Sequence, residues 1–352
     1  MLADVTGNGI RVGITGIGAY APERVLTNEE LERMVDTTDE WITTRTGIKE
    51  RRIAAPEQAA SDLALPAARD ALRLAGVAGA DIDLVIAATA TPDMLFPATA
   101  AIIADDLGAS EAAAYDLLAG CTGFVYALAQ AYGALATGLS KRALVIGTET
   151  LSKITNWQDR GTCILFGDGA GAAVVEPVDD GGIAGFELGA DGSGGPDLCV
   201  PAGGSRMPVT AEALEGELQF IKMRGQEVFR FATRVMVTSA EQLLGEVGAS
   251  VDDVDLYVPH QANKRIIDHA VKNLGLDPAK VFMNIDRYGN TSSASIPLCL
   301  AEAREQGLLK DGTRVLMSAV GAGLTWGSVY MTWSSNGQHQ SPPPAPAPGH
   351  HQ

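Results

Sequence analysis

The chain is poor in the residues that build covalent or metal-bound scaffolds, with four cysteines and five histidines in 352 residues. Cys121, Cys163, Cys199 and Cys299 follow no regular spacing, which argues against a disulfide framework or a zinc site and leaves reduced thiols as the reading. Basic residues are scarce, 26 against 43 acidic ones, and a net charge of −17 disfavours a nucleic-acid surface. Met1 to Asn8 has neither the basic nor the apolar region of a secretory signal, so a cytoplasmic location is the expectation. One uncharged run, Leu117 to Ser140, is long enough to raise the question of a membrane span. Gly120-Cys121-Thr122-Gly123 interrupts it as a turn would, and Gln130 sits inside it. A strand, a sharp turn and a buried helix are expected there, with no membrane partner.

What is present is ample apolar content, 46% of residues, in runs that alternate between strand-like and helix-like periodicity. Strand-like Arg11 to Ile17, Leu84 to Thr89 and Ala114 to Leu118 interleave with helices expected at Asn28 to Met34, Ser61 to Ala75 and Thr99 to Leu107. That alternation predicts a layered α/β fold. Asn28 and Ser61 are the expected N-caps, with Glu30 and Asp62 near the helix starts. The run Cys163 to Val175 contains Gly167-Asp168-Gly169-Ala170-Gly171 but leads into another strand-like stretch, so it fails as a dinucleotide fingerprint and reads as closely packed strands.

The chain also repeats itself. Gly120-Cys121-Thr122 is followed by an apolar run to Gly138-Leu139, and Gly289-Asn290-Thr291 by one to Gly307-Leu308, at the same spacing. Asp81 to Ile86 echoes Asp253 to Val258, although the second copy continues into Pro259-His260-Gln261. Duplicated halves follow, spanning residues 1–178 and 179–335, with a Pro-rich tail over 336–352 expected to be disordered.

Three side chains stand out on chemical grounds. Cys121 at a helix start is either an inert core thiol or a nucleophile whose thiolate the helix dipole stabilises. His260 beside a proline reads either as structural or as a site residue at the strand end where α/β sheets place ligands. Asn290 is the counterpart of Cys121 in the second half, and convergence of the two helix starts with the His260 strand end would make all three functional. His269 falls on the polar side of its helix, and Cys163 and Cys299 read as core. Two basic clusters, Lys222, Arg224, Arg230 and Arg234, and Lys264, Arg265 and Lys272, are either solvated faces or a dock for an acidic carrier.

Ala119 to Phe124, Val258 to Asn263, Gly289 to Ser292 and Gly321 to Gly327 together resemble the motifs of beta-ketoacyl-acyl carrier protein synthase III. Asp36 to Ile42, Arg45 to Ile48 and Phe166 to Gly171 resemble further segments of that family, and the likeness runs from about Ile14 to Trp333. It implies a thiolase-like fold, two halves in a five-layer αβαβα arrangement, and a homodimer. It implies an acyltransferase whose Cys121 takes an acyl group from acyl-CoA, with His260 and Asn290 activating malonyl-acyl carrier protein and the backbone of Cys121 and Ala322 forming the oxyanion hole. The family often has glycine at Ala322. By the same resemblance Thr37, Trp41, Arg45, Arg160 and Asn263 contact coenzyme A, Phe96 closes the acyl pocket from the partner subunit, and Arg230, Lys264, Arg265 and Lys272 mark the carrier-docking clusters. No metal or organic cofactor is implied beyond the coenzyme A thioester as substrate. The alternatives are a priming ketosynthase or acyltransferase of polyketide or secondary metabolism, and a non-catalytic acyl-carrier binding partner.

Overall fold

The structure, a computed structural model, describes residues 9–334. The expected tail and the first residues lie outside that range. Five strands form one sheet in the order Val12–Tyr20, Gly169–Pro177, Ala143–Glu149, Leu84–Ala88, Ala113–Leu117. Four form a second, in the order Leu256–Pro259, Arg314–Gly321, Thr325–Thr332, Gly182–Ala190. Each mixes two kinds of pairing. Ala143–Glu149 with Leu84–Ala88, and Arg314–Gly321 with Leu256–Pro259, are parallel, while the strands on the other side are antiparallel.

Period-two alternation decides which layer each strand residue faces. Leu84, Ile86 and Ala88 point into a central core with Ala143, Val145, Leu256, Val258, Val315 and Met317, around the helices Gly123–Ala136 and Ser295–Glu305. Val85, Ala87, Leu144 and Ile146 point the other way, onto the helix Ala60–Ala75. Tyr257, Leu316 and Val320 do the same in the second sheet, onto the helices Gly225–Glu246 and Lys264–Leu274. Outer helices, sheet, central helices, sheet and outer helices are the five αβαβα layers expected. The glycine run before Val174 serves packing, as expected: no helix follows it, and a Cβ on Gly171 would lie 2.6 Å from Pro297 Cβ.

Helix starts depart from the expected caps. Thr27 caps a short helix, Asn28–Leu31, taking the Glu30 N–H at 3.3 Å while Glu30 takes the Thr27 N–H at 3.1 Å. Ala59 occupies the cap position of Ala60–Ala75, its N–H held by Asp62 at 2.7 Å. Asn28 and Ser61 have other work: Ser61 Oγ donates to Asp93, and Asn28 Oδ1 accepts Arg51 Nη1 at 2.8 Å. The Arg51 guanidinium is fully buried without a carboxylate partner, donating also to the Ile164 carbonyl at 2.7 Å, and burial lowers its pKa to about 10. It anchors the segment Ile164–Gly167, against which the Asn290 turn is built.

Candidate active site

The strand Ala113–Leu117 runs into a single tight turn, Gly120–Thr122, before the helix Gly123–Ala136. Gly120 has φ +55°, and a Cβ there would lie 2.8 Å from the Ala322 nitrogen. A Cβ on Gly321 would lie 2.6 Å from the Cys121 nitrogen, so two glycines let the backbones of Cys121 and Ala322 close on one another. Ala322 itself is not among the positive-φ residues, so its methyl carries no backbone strain.

His260 follows directly on the strand Leu256–Pro259, its N–H bonded to the Ser318 carbonyl at 2.8 Å. Its ring is buried, with Nδ1 2.7 Å from Ser295 Oγ. That hydroxyl accepts the Gln261 N–H at 3.3 Å and, among the described residues, has Nδ1 as its one acceptor. It therefore donates to Nδ1 and leaves the ring proton on Nε2. Burial holds the imidazolium pKa down at about 3, so the ring is neutral at physiological pH.

Asn290 is fixed by its backbone to Leu165 and Gly167, at 2.8 and 3.0 Å, through a bridge pairing it with Phe166. Its Oδ1 accepts the Ser292 N–H at 2.8 Å, which turns the amide NH₂ away as a pair of donors. Cys121, His260 and Asn290 all line one narrow cavity, walled also by Phe229, Ala232, Asn263 and Val320. Cys121 also borders a second, larger cavity of about 500 Å³, lined by Leu118, Leu151, Ile154, Phe166 and Ile221. The nucleophile candidate thus stands between two apolar spaces.

The expectation of a helix-stabilised thiolate does not hold on balance. Burial pushes the Cys121 thiol up to about 12, and the Glu149 carboxylate adds to the rise, while a hydrogen bond from Ser292 and the residue's own N–H only partly oppose it. A turn's worth of N–H groups cannot offset desolvation between two apolar walls. The resting side chain is a thiol.

Farther out, Trp41 lies in the helix Asp39–Thr46 with the Arg45 and Arg160 guanidinium carbons 4.6 and 5.0 Å from its ring centroid. Thr37 Oγ1 is buried without a hydrogen-bond partner, and Asn263 Nδ2 donates to the Arg45 carbonyl at 3.1 Å. Asn263 lines the narrow cavity, its bond to Arg45 ties it to the Trp41, Arg45 and Arg160 group, and Arg160 Nη1 donates at 2.8 Å to the carbonyl of Asp36, next to Thr37. Of the two basic clusters, Arg230 and Arg234 lie on the helix Gly225–Glu246 with Lys222 and Arg224 just before it, and Lys264, Arg265 and Lys272 lie on the helix Lys264–Leu274 packed against it, but they are less bare than their sequence implied. Arg224, Arg230 and Lys264 pair with Asp197, Glu227 and Asp268, and Arg265 stacks 5.2 Å from the Phe229 ring, leaving Lys272 exposed nearby. Phe96 is 82% exposed and does not line either Cys121 cavity.

Sequence reasoning missed Ser292 and Ser295, because serines at a helix start signal capping first and a side-chain contact across the fold only once the fold is known. It also passed over Glu149, a charge at the end of an otherwise apolar, fully buried strand, which was the available signal. Among the described residues no helix is long and apolar enough to cross a membrane.

Residues 115–192 match the family model for 3-oxoacyl-[acyl-carrier-protein] synthase III, and residues 244–333 the model for its C-terminal part. The beta-ketoacyl-[acyl-carrier-protein] synthase III of Symbiobacterium thermophilum is 58% identical over 92% of this chain and 98% of its own. The solved structure of that enzyme from Thermus thermophilus superposes with a TM-score of 0.85 at 49% identity, covering 92% of this chain and 99% of the other. A priming beta-ketosynthase from the R1128 polyketide pathway gives 0.86 at 38% identity, over 92% and 97%. With a shared five-layer fold and relatives this similar over nearly their whole length, the chain belongs to the beta-ketoacyl-[acyl-carrier-protein] synthase III family.

Proposed function

We propose that Cys121, His260 and Asn290 carry out the decarboxylative condensation of a short acyl-CoA with malonyl-acyl carrier protein, the initiating step of type II fatty acid synthesis. The observation that carries this reading is the meeting of the three side chains on one cavity wall in a chain of this family. A thiol is both a soft nucleophile and a fair leaving group, so acyl transfer to Cys121 splits a difficult carbon–carbon bond formation into two easier steps. The thioester oxygen sits between the Cys121 and Ala322 N–H groups, and one such donor is typically worth roughly a hundredfold or more in rate. The acyl chain then occupies the larger cavity.

The acyl carrier's malonyl thioester enters the narrow cavity after coenzyme A leaves it. Loss of carbon dioxide puts negative charge on the thioester oxygen, which His260 Nε2–H and the Asn290 amide receive as two donors. The enolate carbon attacks the acyl-Cys121 carbonyl and expels the sulfur. Hydrogen-bond donors suffice for each step, so we assign no metal and no cofactor other than the coenzyme A thioester substrate. The adenine of coenzyme A stacks on Trp41 beside Arg45 and Arg160, with Thr37 Oγ1 as an available polar partner, and Arg230, Lys264, Arg265 and Lys272 receive the carrier. The same reading places the enzyme in the cytoplasm, where both substrates are made.

A homodimer completes the site. Among the described residues the edge strand Ala113–Leu117 is unpaired on its outer side, and Leu95, Phe96 and Leu118 expose 76–85% of their surface near it. A second copy covering this face brings its Phe96 to the open end of the larger cavity, where Leu118 already stands, and limits primer length. A polyketide-priming role is favoured less, because the polyketide ketosynthase is the more distant relative at 38% against 58%. The test is a panel of acyl-CoA primers with malonyl-acyl carrier protein. Short primers should give beta-ketoacyl carrier protein and one acyl group on Cys121. An unmodified Cys121 and no product would leave only a carrier-binding module.

A further inference from the structure

Cys121 must lose a proton before it can attack, and the residues so far assigned offer no good acceptor. His260 is a poor base in this setting: its Nδ1 is taken by Ser295 and burial keeps its imidazolium pKa at about 3. The titratable groups facing Cys121 are His260 across the narrow cavity, Cys199 on the wall of the larger one, and Glu149 beneath it. Among the described residues no lysine, arginine or aspartate lines either cavity.

Glu149 ends the central strand of the first sheet and is fully buried. Among the described residues its partners are all neutral donors. Oε2 accepts from Thr91 Oγ1 at 2.8 Å, Ala90 N at 3.1 Å and Thr89 Oγ1 at 3.4 Å. Oε1 accepts from Ser292 Oγ at 2.9 Å and Ser293 Oγ at 3.0 Å, both from the opposite half of the chain. Ser292 is one of two non-glycine residues with positive φ among those described, at 49°; its hydroxyl bonds the carboxylate, and it lines the larger cavity together with Cys121, whose thiol pKa it lowers. A buried carboxylate bonded to a hydroxyl that shares a cavity wall with the nucleophile is an arrangement that fold stability alone does not call for.

We propose that Glu149 is the acceptor of the Cys121 proton, reached through the Ser292 hydroxyl. The step rests on Cys121 being the nucleophile and balances as follows. The S–H proton passes to Ser292 Oγ as the Ser292 proton passes to Glu149 Oε1, leaving a thiolate that now accepts a hydrogen bond from Ser292 and a neutral carboxylic acid. The thiolate attacks the acyl-CoA carbonyl, and coenzyme A leaves as a thiolate that takes a proton from solvent through the narrow cavity. Glu149 keeps its proton while Cys121 carries the acyl group. When the enolate carbon displaces the Cys121 sulfur, the proton returns by the same path. The solvent proton on coenzyme A is the one the decarboxylative reaction consumes overall.

The physical advantage is that the step never places two anions side by side in this buried pocket. With Glu149 charged, a thiolate beside it would be a second anion, and the carboxylate raises the thiol pKa for that reason. Moving the proton exchanges one anion for the other. Burial raises the Glu149 pKa above the usual carboxylate range, bringing its proton affinity toward that of the thiol.

Two variants test this, Glu149→Gln and Ser292→Ala, the second of which breaks the relay while leaving Glu149 its other donors and Asn290 its bond to the Ser292 N–H. Three readouts are needed: acylation of Cys121 by acyl-CoA, decarboxylation of malonyl-acyl carrier protein, and the rate of Cys121 alkylation by iodoacetamide against pH. The relay predicts that acylation falls roughly a hundredfold in both variants, with decarboxylation within about twofold of wild type. A shared anion gives wild type a nearly flat alkylation rate across neutral pH, whereas the variants should rise about tenfold per pH unit as a lone thiol does. If E149Q does not fold, S292A alone decides. Unchanged acylation with a flat alkylation profile in the variants would overturn the relay, and so would parallel loss of acylation and decarboxylation without a changed profile. A flat profile that disappears in His260→Ala but persists in E149Q would assign the proton to the imidazole instead. Wild-type protein that takes no acyl group at Cys121 would sink the nucleophile assignment itself.

Discussion

In the first half of the molecule a full parallel strand, Ala113–Leu117, feeds the Gly120-Cys121-Thr122 turn and its helix. In the second half the turn Gly289-Asn290-Thr291 is fed by the short helix Ile285–Tyr288, and the fifth strand of the sheet shrinks to a single bridge between Tyr257 and Val281. The turn glycines are alike, with φ +55° and +65°, and each turn leads to a helix in the central layer. What differs is the side chain each turn presents and the end of the preceding parallel strand. Leu84–Ala88 ends in threonines and an alanine, whereas Leu256–Pro259 ends in His260. Duplication thus supplied two equivalent positions facing one centre, with the proposed nucleophile Cys121 in one half and the proposed donors His260 and Asn290 in the other.

That division of labour can be broken one half at a time. Cys121→Ala should abolish acylation and condensation altogether while leaving His260 and Asn290 in place, measured by intact-protein mass and product formation. Asn290→Ala removes one of two donors to the enolate and should lower decarboxylation by roughly 10²–10³-fold while Cys121 acylation survives, since donors of this kind are worth that much. Ser295→Ala frees the His260 tautomer that its hydroxyl fixes. Decarboxylation should fall about tenfold, within the 1–2 kcal/mol of one buried hydrogen bond, and acylation should not follow it. Arg265→Glu should raise the KM for malonyl-acyl carrier protein several-fold, through lost charge complementarity, with little change for acyl-CoA. Equal effects on both substrates would remove the docking assignment.

The pH dependence of stability sharpens the second half alone. His260 binds a proton below about pH 6.5 when unfolded but only near 3 when folded. The unfolded chain therefore holds more protons between those values, and stability falls as pH drops through that window, by up to ~1.4 kcal/mol for each unit. His260→Gln should flatten this acid-side loss in chemical denaturation across pH 4–6.

Much of this was legible in the chain itself. The alternation of strand-like runs such as Leu84 to Thr89 with helix-like ones marked the layered fold, and the repeat at Gly120 and Gly289 marked the duplication and its two turns. His260 could be singled out because the other histidines were accounted for by the tail or a polar helix face. The thiol's protonation was misjudged, because a helix start is local and visible in sequence whereas the apolar walls that desolvate Cys121 come from Leu118, Phe166, Phe229 and Val320, scattered along the chain. Ser292 and Ser295 were invisible for a related reason: one meets its partner across the seam between the halves, the other between a strand end and a central helix, and no local pattern encodes such a contact. The N-cap reading failed on a smaller scale, since Thr27 and Ala59 lie one or two positions before the residues whose type suggested a cap.

The most direct test of the two-half account is a chase. Wild type and Asn290→Ala are first loaded with a short acyl-CoA, freed of excess, then mixed with malonyl-acyl carrier protein and followed by intact-protein mass spectrometry. Both should carry one acyl group on Cys121 at the start, and only wild type should discharge it as beta-ketoacyl carrier protein appears. Discharge at the wild-type rate in the variant, or failure of the variant to load, would contradict the separation of nucleophile and donors between the halves.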